Sequence, residues 1–576
     1  MSTQAASAHE TVESGATAAE AAAQALKRHN VDCLFAQSLP SALILAAEDV
    51  GIRQIAYRTE NAGGAMADGY ARRSNKVGVV CAQNGPAATL LVPPLAEALK
   101  ASIPVVALVQ EVDRPNVDRN AFQELDHIAL FESCTKWVRR VMDADRIEDY
   151  IDAAFVAAAT GRPGPAALLL PADLLKETTT AARGQRSSKL GYWPLDRVVA
   201  DPDAIAQAAA LIVEAERPVV LAGGGIHGAQ AADALARLQD LAALPVATTV
   251  MGKGCVDERH GLSLGVSGAL AGRKALGHHT RPFIAEADLV VLIGTRTNQN
   301  GTDSWRLIPP GAAVVHLDID GQEVGRNGEA VRLVGDAKLT LEALAERLGA
   351  LGLTRRQAAR GGLEARIADA KARHGAEAAA RCRSDAAPIR PERLMAEMQT
   401  LLTPETTVVA DASYASMWVA AGLTSLAPGM RFLTPRGLAG LGWGYPMALG
   451  AKLARPDQPV LCVAGDGGFG HCWQELETAK RMGLPVVLTL LNNGVLGYQK
   501  DAENVKFGRH TSACTFEPVD HVKIAEACGC LGLRVARPGD YAAALQAGLE
   551  SDRPVLIEVD TDPGAFPPLT LFDNGS

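Results

Sequence analysis

The stretch Val460-Leu461-Cys462-Val463-Ala464-Gly465-Asp466-Gly467-Gly468 reads as an apolar strand running into a glycine-rich turn. A helical pattern follows at about 471–482, then a second apolar run ending at Leu491, then Asn492-Asn493. Strand, helix and strand in this order predict a right-handed βαβ unit, whose two parallel strands open their C-terminal ends onto one crevice. Asp466 and Asn493 therefore meet, although 27 positions separate them (493 − 466). A carboxylate and an amide oxygen suit a hard cation such as Mg²⁺, with phosphate, backbone carbonyl and water as its remaining ligands. Gly465, Gly467 and Gly468 let the backbone approach a phosphate at the start of a helix. Extended to Gly470, the turn also fits the G-x-G-x-x-G fingerprint of dinucleotide sites. Asp466 would repel a bare pyrophosphate, so a metal-bridged diphosphate is the better reading, with an incidental glycine turn as the bland alternative.

Outward from this unit the same alternation of β-rich runs and Ala-rich helical patterns covers the chain, which predicts an α/β protein of three doubly wound parallel-sheet domains. Strands are expected at 31–36, 53–57, 77–82, 104–109 and 166–170, then at 218–222, 245–249, 289–293 and 313–317, then at 407–410, 460–464, 486–491 and 555–559. Polar stretches at 178–190 and 352–385, the second helical, divide domains at 1–185, 200–350 and 386–565. The first and third blocks share rhythm and size, which suggests two related domains around a different middle one. With 65 acidic and 56 basic residues among 576, the net charge is −9, and no basic run supplies a footprint for nucleic acid or an anionic membrane. No apolar run approaches the ~18 residues of a membrane span. Residues 1–15 carry no secretory pattern, and ten scattered cysteines without a CxxC pair fit reduced thiols in the cytoplasm.

The Gly-Asp-Gly-(24)-Asn-Asn arrangement resembles the thiamine diphosphate (ThDP) motif, and further segments extend the likeness. Tyr57-Arg58-Thr59-Glu60-Asn61 with Ala67-Asp68-Gly69-Tyr70-Ala71-Arg72 is similar to the activating-glutamate segment of those enzymes. Asn84-Gly85-Pro86-Ala87-Ala88-Thr89, Ala121-Phe122-Gln123-Glu124, Met251-Gly252-Lys253-Gly254, His316-Leu317-Asp318-Ile319-Asp320 and Gly440-Leu441-Gly442 resemble the acetohydroxyacid (acetolactate) synthase, pyruvate oxidase and oxalyl-CoA decarboxylase superfamily. The resemblance implies an N-terminal pyrimidine-binding domain, a middle nucleotide-binding-like domain and a C-terminal diphosphate- and Mg²⁺-binding domain. It implies that Glu60 hydrogen-bonds N1′ of the aminopyrimidine and promotes its imino tautomer, alone being only an acid at a helix N-terminus. Leu441 is then the apolar wedge that keeps the cofactor bent, and the carbonyl of Ala439 orients its 4′-amino group. Tyr414, Ala415, Ser416, Pro86, Gly465, Gly467 and Gly468 contact the cofactor. Asp466, Asn493 and the Val495 carbonyl hold the metal, while Phe122 and Gln123 face the substrate.

In the middle block Gly223-Gly224-Gly225-Ile226-His227-Gly228 again fits G-x-G-x-x-G, and the resemblance implies FAD, ADP or coenzyme A there, with Arg296, Asp318–Asp320 and Gly335-Asp336 toward the adenosine. Thr297-Asn298-Gln299-Asn300 replaces the Phe-Asp-Asp-Arg of the flavin-binding group, and Ser267-Gly268-Ala269-Leu270 stands in place of its Met-His-Gly, which argues against FAD. Gln37-Ser38-Leu39 replaces a Tyr-Pro-Gly loop, Leu90 an Asn, and Gly494–Lys500 lacks the Met…Trp of a strict acetolactate producer. His278-His279, the only adjacent histidines, read as structural. The expected function is a ThDP- and Mg²⁺-dependent carboligase or decarboxylase (a transferase or lyase) that takes a pyruvate-like 2-oxo acid and a carbonyl acceptor. Rivals are a 2-hydroxyacyl-CoA lyase or oxalyl-CoA decarboxylase, a flavin-dependent pyruvate oxidase, and a silent ThDP-binding protein. The resemblance further implies a homodimer or homotetramer with active sites between subunits.

Overall fold

A computed structural model describes residues 15–179 and 186–573. The reading of residues 1–15 as free of a leader thus falls outside the described residues, save Gly15, as does part of the 178–190 connector. The first sheet holds β1 (Cys33–Phe35), β2 (Arg53–Ile55), β3 (Gly78–Ala82), β4 (Val105–Glu111), β5 (Trp137–Arg140) and β6 (Ala166–Pro171). The second holds β7 (Pro218–Ala222), β8 (Val246–Thr248), β9 (Ser263–Val266), β10 (Leu289–Ile293), β11 (Ala313–Asp318) and β12 (Val331–Val334). The third holds β13 (Thr407–Ala410), β14 (Phe432–Leu433), β15 (Val460–Gly465), β16 (Val487–Asn492), β17 (Leu531–Val535) and β18 (Val555–Asp560). All three sheets are parallel, and helices connect most successive strands, the exceptions being β8 to β9 and β10 through β12 of the middle sheet.

Strand order separates the three. The first sheet runs β2-β1-β3-β4-β6-β5 and the third runs β14-β13-β15-β16-β18-β17, the same topology in each. The middle sheet runs β12-β11-β10-β7-β8-β9, the 3-2-1-4-5-6 order of dinucleotide-binding folds read from its other edge. The kinship expected of the outer two blocks is therefore a shared topology. Their cores also merge: one hydrophobic cluster runs from Leu34, Val80 and Leu108 through Tyr445 and Leu449 to Cys462 and Leu488. The middle sheet packs its faces into separate clusters, around Val220 and Val291 on one side and Leu221 and Leu292 on the other.

Two helices, Glu60–Ser74 and Gly444–Ala454, carry the junction of first and third domains, and glycines set how closely they cross. A Cβ at Gly69 would lie 2.1 Å from the Met447 carbonyl oxygen, and one at Gly450 would lie 1.9 Å from that of Met66. Any side chain at either position would push the helices apart. The polar 352–385 connector forms the long helix Thr354–Cys382, which buries Arg356, Ile367 and Ala370 while its other residues stay partly or fully exposed. The helix expected at 471–482 forms as Glu475–Met482, and a separate short turn, Asp466–Phe469, precedes it. Gly467, Gly468 and Gly470 are poor helix formers. The break also lets the Glu475 carboxylate accept the amides of Arg58 and Thr59 at 3.2 Å, which joins third domain to first.

Every strand expected from the sequence forms. Five further strands, β5, β9, β12, β14 and β17, were not anticipated, and all five are sheet edges. An edge strand of a parallel sheet is partly open to solvent, so its sequence need not be a continuous apolar run. Trp137-Val-Arg-Arg, Val331-Arg-Leu-Val and Leu531-Gly-Leu-Arg-Val each carry arginine, β9 is interrupted by a register shift at Val246/Ala247, and β14 has two residues.

Candidate functional site

In the third domain the sheet order reverses between β13 and β15, which splits the C-terminal ends of these strands into a crevice. Asp411 follows β13, Gly465-Asp466 ends β15, and Asn493 follows β16. A small cleft of about 50 Å³ lies here, lined by Tyr414, Ala415, Leu441, Gly465–Gly468, Asn493 and Val495. Asp466 is 9% exposed, and its Oδ2 accepts the Gly494 amide at 3.0 Å. Burial pushes its carboxyl up, while amides of Gly467, Gly494 and Asn493 pull the other way. Among the described residues no lysine or arginine pairs with it. A buried carboxylate with no counter-cation is a fitting seat for a metal ion. No group of three or more His, Cys, Asp or Glu capable of holding a metal occurs among the described residues. One carboxylate, one amide oxygen and a main-chain carbonyl suit a cation that brings its own phosphate ligands. The cradle below is tight, since a Cβ on Gly468 would sit 2.1 Å from Asp411 Oδ2.

The loop from Gly437 to Gly444 presents Leu441 over this cleft, and two buried carboxylates hold it from either side. Glu97 of the first domain accepts the amides of Gly437 at 2.7 Å, Leu438 at 2.6 Å and Ala439 at 3.4 Å. Asp411 accepts those of Gly442 at 3.0 Å, Trp443 at 3.1 Å and Gly444 at 2.9 Å. Gly440 and Leu441 remain between the two clamps. Glu97 is itself seated by Arg72, which spans it at 3.5 Å, Asp68 at 2.5 Å and the Thr434 carbonyl at 3.2 Å. Burial pushes the Asp411 carboxyl up against the pull of its amides. Ala439 is strained into the left-handed region at φ 65°. Glu97 and Asp411 were missed from sequence. Asp411 had a readable signal, an acid closing a strand as Asp466 does, and Glu97 is a charge on the buried face of an apolar helix.

Pro86, Phe122 and Gln123 gather elsewhere, on the first domain. Gln83 Nε2 donates to Gln123 Oε1 at 2.6 Å, and Asn84 Nδ2 to the Gln123 carbonyl at 3.1 Å. Behind them the buried His127 accepts the Gly85 amide at 3.0 Å and is steadied by Glu111 at 3.2 Å. Phe122 is 85% exposed. Glu60 is the first residue of its helix, capped by Thr59, and its neighbour Asn61 accepts from Trp443 Nε1 at 2.9 Å. Neither Glu60 nor Pro86, Phe122 or Gln123 lines the Asp466 cleft of the same chain. The structure thus groups the expected residues into two sets, one per outer domain. Ser416 is buried and does not line the cleft; its hydroxyl donates to the Ser413 carbonyl at 2.8 Å and accepts from Arg436.

A larger cavity of about 740 Å³ lies where the three domains meet. Its middle-domain wall is the switch point between β7 and β10, where Gly223 donates to the Ile293 carbonyl at 2.8 Å and Gly225 to that of Gly294 at 3.0 Å. Arg296, Asn298–Gly301, Asp318 and Asp336 line the same wall. Burial raises the Asp318 carboxyl to about 6. Ala439, Leu441, Ser413, Arg436 and Leu496 form the third-domain wall, and Leu441, Ser413 and Leu496 also line the Asp466 cleft, so the two spaces adjoin. His278 and His279 lie outside both, with His279 on Glu377 at 3.1 Å.

Three family signatures cover the chain in order: the N-terminal TPP binding domain of thiamine pyrophosphate enzymes over residues 16–130, their central domain over 205–344, and their C-terminal TPP binding domain over 411–559. A probable acetolactate synthase large subunit of Methanocaldococcus jannaschii is 34% identical, across 96% of this chain and 93% of the relative. An acetolactate synthase of Mycobacterium bovis is 33% identical, across 94% and 87%. The acetolactate synthase isozyme 2 large subunit of Escherichia coli is 31% identical, across 93% and 94%.

Proposed function

The chain belongs to the thiamine pyrophosphate enzymes and is a C–C bond-forming enzyme of their acetolactate-synthase-like group; from that premise we propose a Mg²⁺-dependent carboligase whose donor is a pyruvate-like 2-oxo acid and whose acceptor is a second carbonyl compound. The observation that carries the reading is the Gly437–Gly444 loop, held by two buried carboxylates so that Leu441 stands over the Asp466–Asn493 cleft. When bound, ThDP supplies the nucleophilic carbon that attacks the donor's carbonyl. Asp466, Asn493 Oδ1 and the Val495 carbonyl would hold Mg²⁺, and Gly465, Gly467, Gly468, Tyr414 and Ala415 would shape the seat for the diphosphate. Leu441 would pack against the cofactor, and the Ala439 carbonyl would accept from the amino group of its pyrimidine. Glu60, with Pro86, Phe122 and Gln123, acts on the cofactor and substrate of the neighbouring subunit. That none of them lines the cleft of its own chain supports this reading, and so does the exposure of Phe122 and Leu438, at 85% and 52%. The working unit is then a homodimer or a dimer of dimers.

The middle cavity takes an adenine nucleotide, with Gly223–Gly225 at the phosphates and Asp318 toward the ribose. The Thr297–Asn300 segment favours ADP or coenzyme A over FAD, which keeps a 2-hydroxyacyl-CoA lyase as the second reading. Ten free cysteines, eight of them buried, support a reducing cytoplasmic setting, and no described helix is long and apolar enough to cross a membrane. The test is a mass-spectrometric product screen of purified protein with ThDP, Mg²⁺ and a panel of 2-oxo acids, aldehydes and acyl-CoA thioesters. Ligation products from a 2-oxo acid are expected. Turnover only with thioesters would select the second reading.

A further inference from the structure

Behind the Gln123 turn the first domain buries two titratable groups that the proposed chemistry leaves unused, His127 at 1% and Glu111 at 4% exposed. Glu111 ends β4, His127 opens the helix His127–Glu132, and Arg140 ends β5. Arg140 takes both oxygens of Glu111, through Nε to Oε2 and through Nη2 to Oε1 at 2.9 Å. Burial opposes ionisation of this carboxyl, yet hydrogen bonds from His127 and Arg140 hold it below the ordinary glutamate value. An ionised carboxylate only accepts, and a backbone amide only donates. His127 stands between one of each, with Nδ1 at 3.2 Å from Glu111 Oε1 and Nε2 at 3.0 Å from the Gly85 nitrogen. The ring is therefore neutral, with its proton on Nδ1 and its lone pair on Nε2 aimed at Gly85.

On the far side of Gly85 lies a strained turn. Gln123 sits at φ 62°, and Asp118 and Asn120 of the same loop at 62° and 56°. A left-handed glutamine persists only where its surroundings over-determine it. Three consecutive residues do so here. Gln83 donates to its side-chain oxygen at 2.6 Å and Asn84 to its carbonyl at 3.1 Å, while Gly85 packs so closely that a Cβ would lie 2.7 Å from that carbonyl. Gly85 itself, at φ 66° and ψ −117°, adopts a conformation that only glycine takes freely. We propose that His127 is a positioning residue for the substrate-facing Gln123, acting through Gly85 and only in the neutral tautomer that Glu111 and Arg140 impose. The opposite tautomer would fill the same space but set an N–H against the Gly85 N–H, and the turn would lose its anchor.

The proposal rests on the reading that Gln123 faces the substrate, and the test separates the two. In Glu111→Gln, Arg140 keeps the oxygen of the new amide, whose NH₂ then donates to His127 Nδ1 and moves the ring proton to Nε2. His127→Gln carries an acceptor where Nε2 stood and has no tautomer. Holoenzyme with ThDP and Mg²⁺ is examined by ¹⁵N-histidine NMR, the His127 signal being the one lost in His127→Gln. The proton is expected on Nδ1 in the parent and on Nε2 in Glu111→Gln. With pyruvate or another accepted 2-oxo acid, kcat of Glu111→Gln is expected to fall by at least about tenfold, as for loss of a buried hydrogen bond. ThDP affinity, read by calorimetry, stays as in the parent. The double variant Glu111→Gln/His127→Gln is expected to recover most of that kcat, because glutamine at 127 accepts from Gly85 whatever stands at 111. If Glu111→Gln fails to fold, His127→Asn serves, since it keeps a group toward Glu111 and lacks the acceptor; it should lose kcat where His127→Gln retains it. A parent proton on Nε2, or a double variant as slow as Glu111→Gln alone, overturns the proposal. Lower kcat in Gln123→Ala with unchanged kcat in Glu111→Gln overturns the positioning role and leaves the reading of Gln123 standing. Unchanged kcat in Gln123→Ala, or a parent that turns over no 2-oxo acid, removes both.

Discussion

Asp466 and Glu60 are each legible in sequence, yet their environments differ and so do the expected consequences of changing them. Asp466 is buried with no lysine or arginine partner among the described residues, so under the proposed function a metal ion would compensate its charge. Asp466→Ala is expected to weaken Mg²⁺ and ThDP together, read by calorimetry of one ligand at fixed levels of the other; unchanged ThDP affinity would contradict the metal seat. Glu60 opens a helix at a domain surface, where an acid is favoured by the dipole at little structural cost to remove. Glu60→Gln is expected to leave thermal unfolding and most cofactor affinity intact while turnover falls about a hundredfold or more, the common contribution of an acid–base group. Asp318 behaves differently again. Burial, with Glu323 and Asp320 nearby, raises its carboxyl from the ordinary 3.8 to about 6 in the folded protein, against the pull of the Asp320 amide and Arg162. The folded value is the higher one, so the carboxyl's favourable contribution is full below pH 3.8 and lost as pH rises through about 6. The loss reaches at most about 3 kcal/mol. Asp318→Asn is therefore expected to flatten the fall in denaturant stability of the nucleotide-free protein between pH 4 and 7 (roughly the span of the shift). An unchanged pH profile would count against it.

At the scale of elements, the Gly437–Gly444 loop has little structure of its own, and its shape comes from six amides received by Glu97 and Asp411. Exchanging either carboxylate for its amide retains size and turns part of an all-accepting group into a donor that faces amides. Each of Glu97→Gln and Asp411→Asn is expected to cost about 1–3 kcal/mol of stability, as for loss of charge-assisted hydrogen bonds. In the folded variants kcat should fall more than ThDP affinity, because Leu441 loses its fixed height while the Asp466 seat is untouched. Parallel loss of kcat and of Mg²⁺ binding would show that the clamp supports the whole crevice instead. The same scale explains which strands could be read in advance. Buried central strands such as β15 and β16 are uninterrupted apolar runs, whereas β5, β12 and β17 place arginines toward solvent at the sheet edge and read as loop or helix.

For the whole molecule, Glu60, Phe122 and Gln123 do not line the Asp466 cleft of their own chain, which is what the proposed two-chain site rests on. Two chains in isologous contact would give two complete sites. Mixing inactive Glu60→Gln with inactive Asp466→Ala chains is expected to restore activity in heterodimers, which hold one intact and one doubly damaged site. Verified heterodimers that stay inactive, or full activity in a sedimenting monomer, would defeat this arrangement. Purified protein is expected to carry no stoichiometric FAD, and a flavin absorbance band at one per chain would reverse the reading of Thr297–Asn300.

The amino-acid sequence by itself determined the parallel α/β class, the three-part division, and the pairing of Asp466 with Asn493, because each depends on local periodicity and on one short βαβ crossover. Glycines 465–468 were readable for the same reason, since a turn at a strand end needs them whatever surrounds it. Tertiary structure alone decided that Glu97, more than 300 positions before Gly437 (437 − 97 = 340), clamps the Leu441 loop, and that Asp466 stands without a lysine or arginine partner among the described residues. Whether a charge is neutralised or left open is settled by what other domains bring within a few ångströms of it. No spacing along the chain encodes that distance.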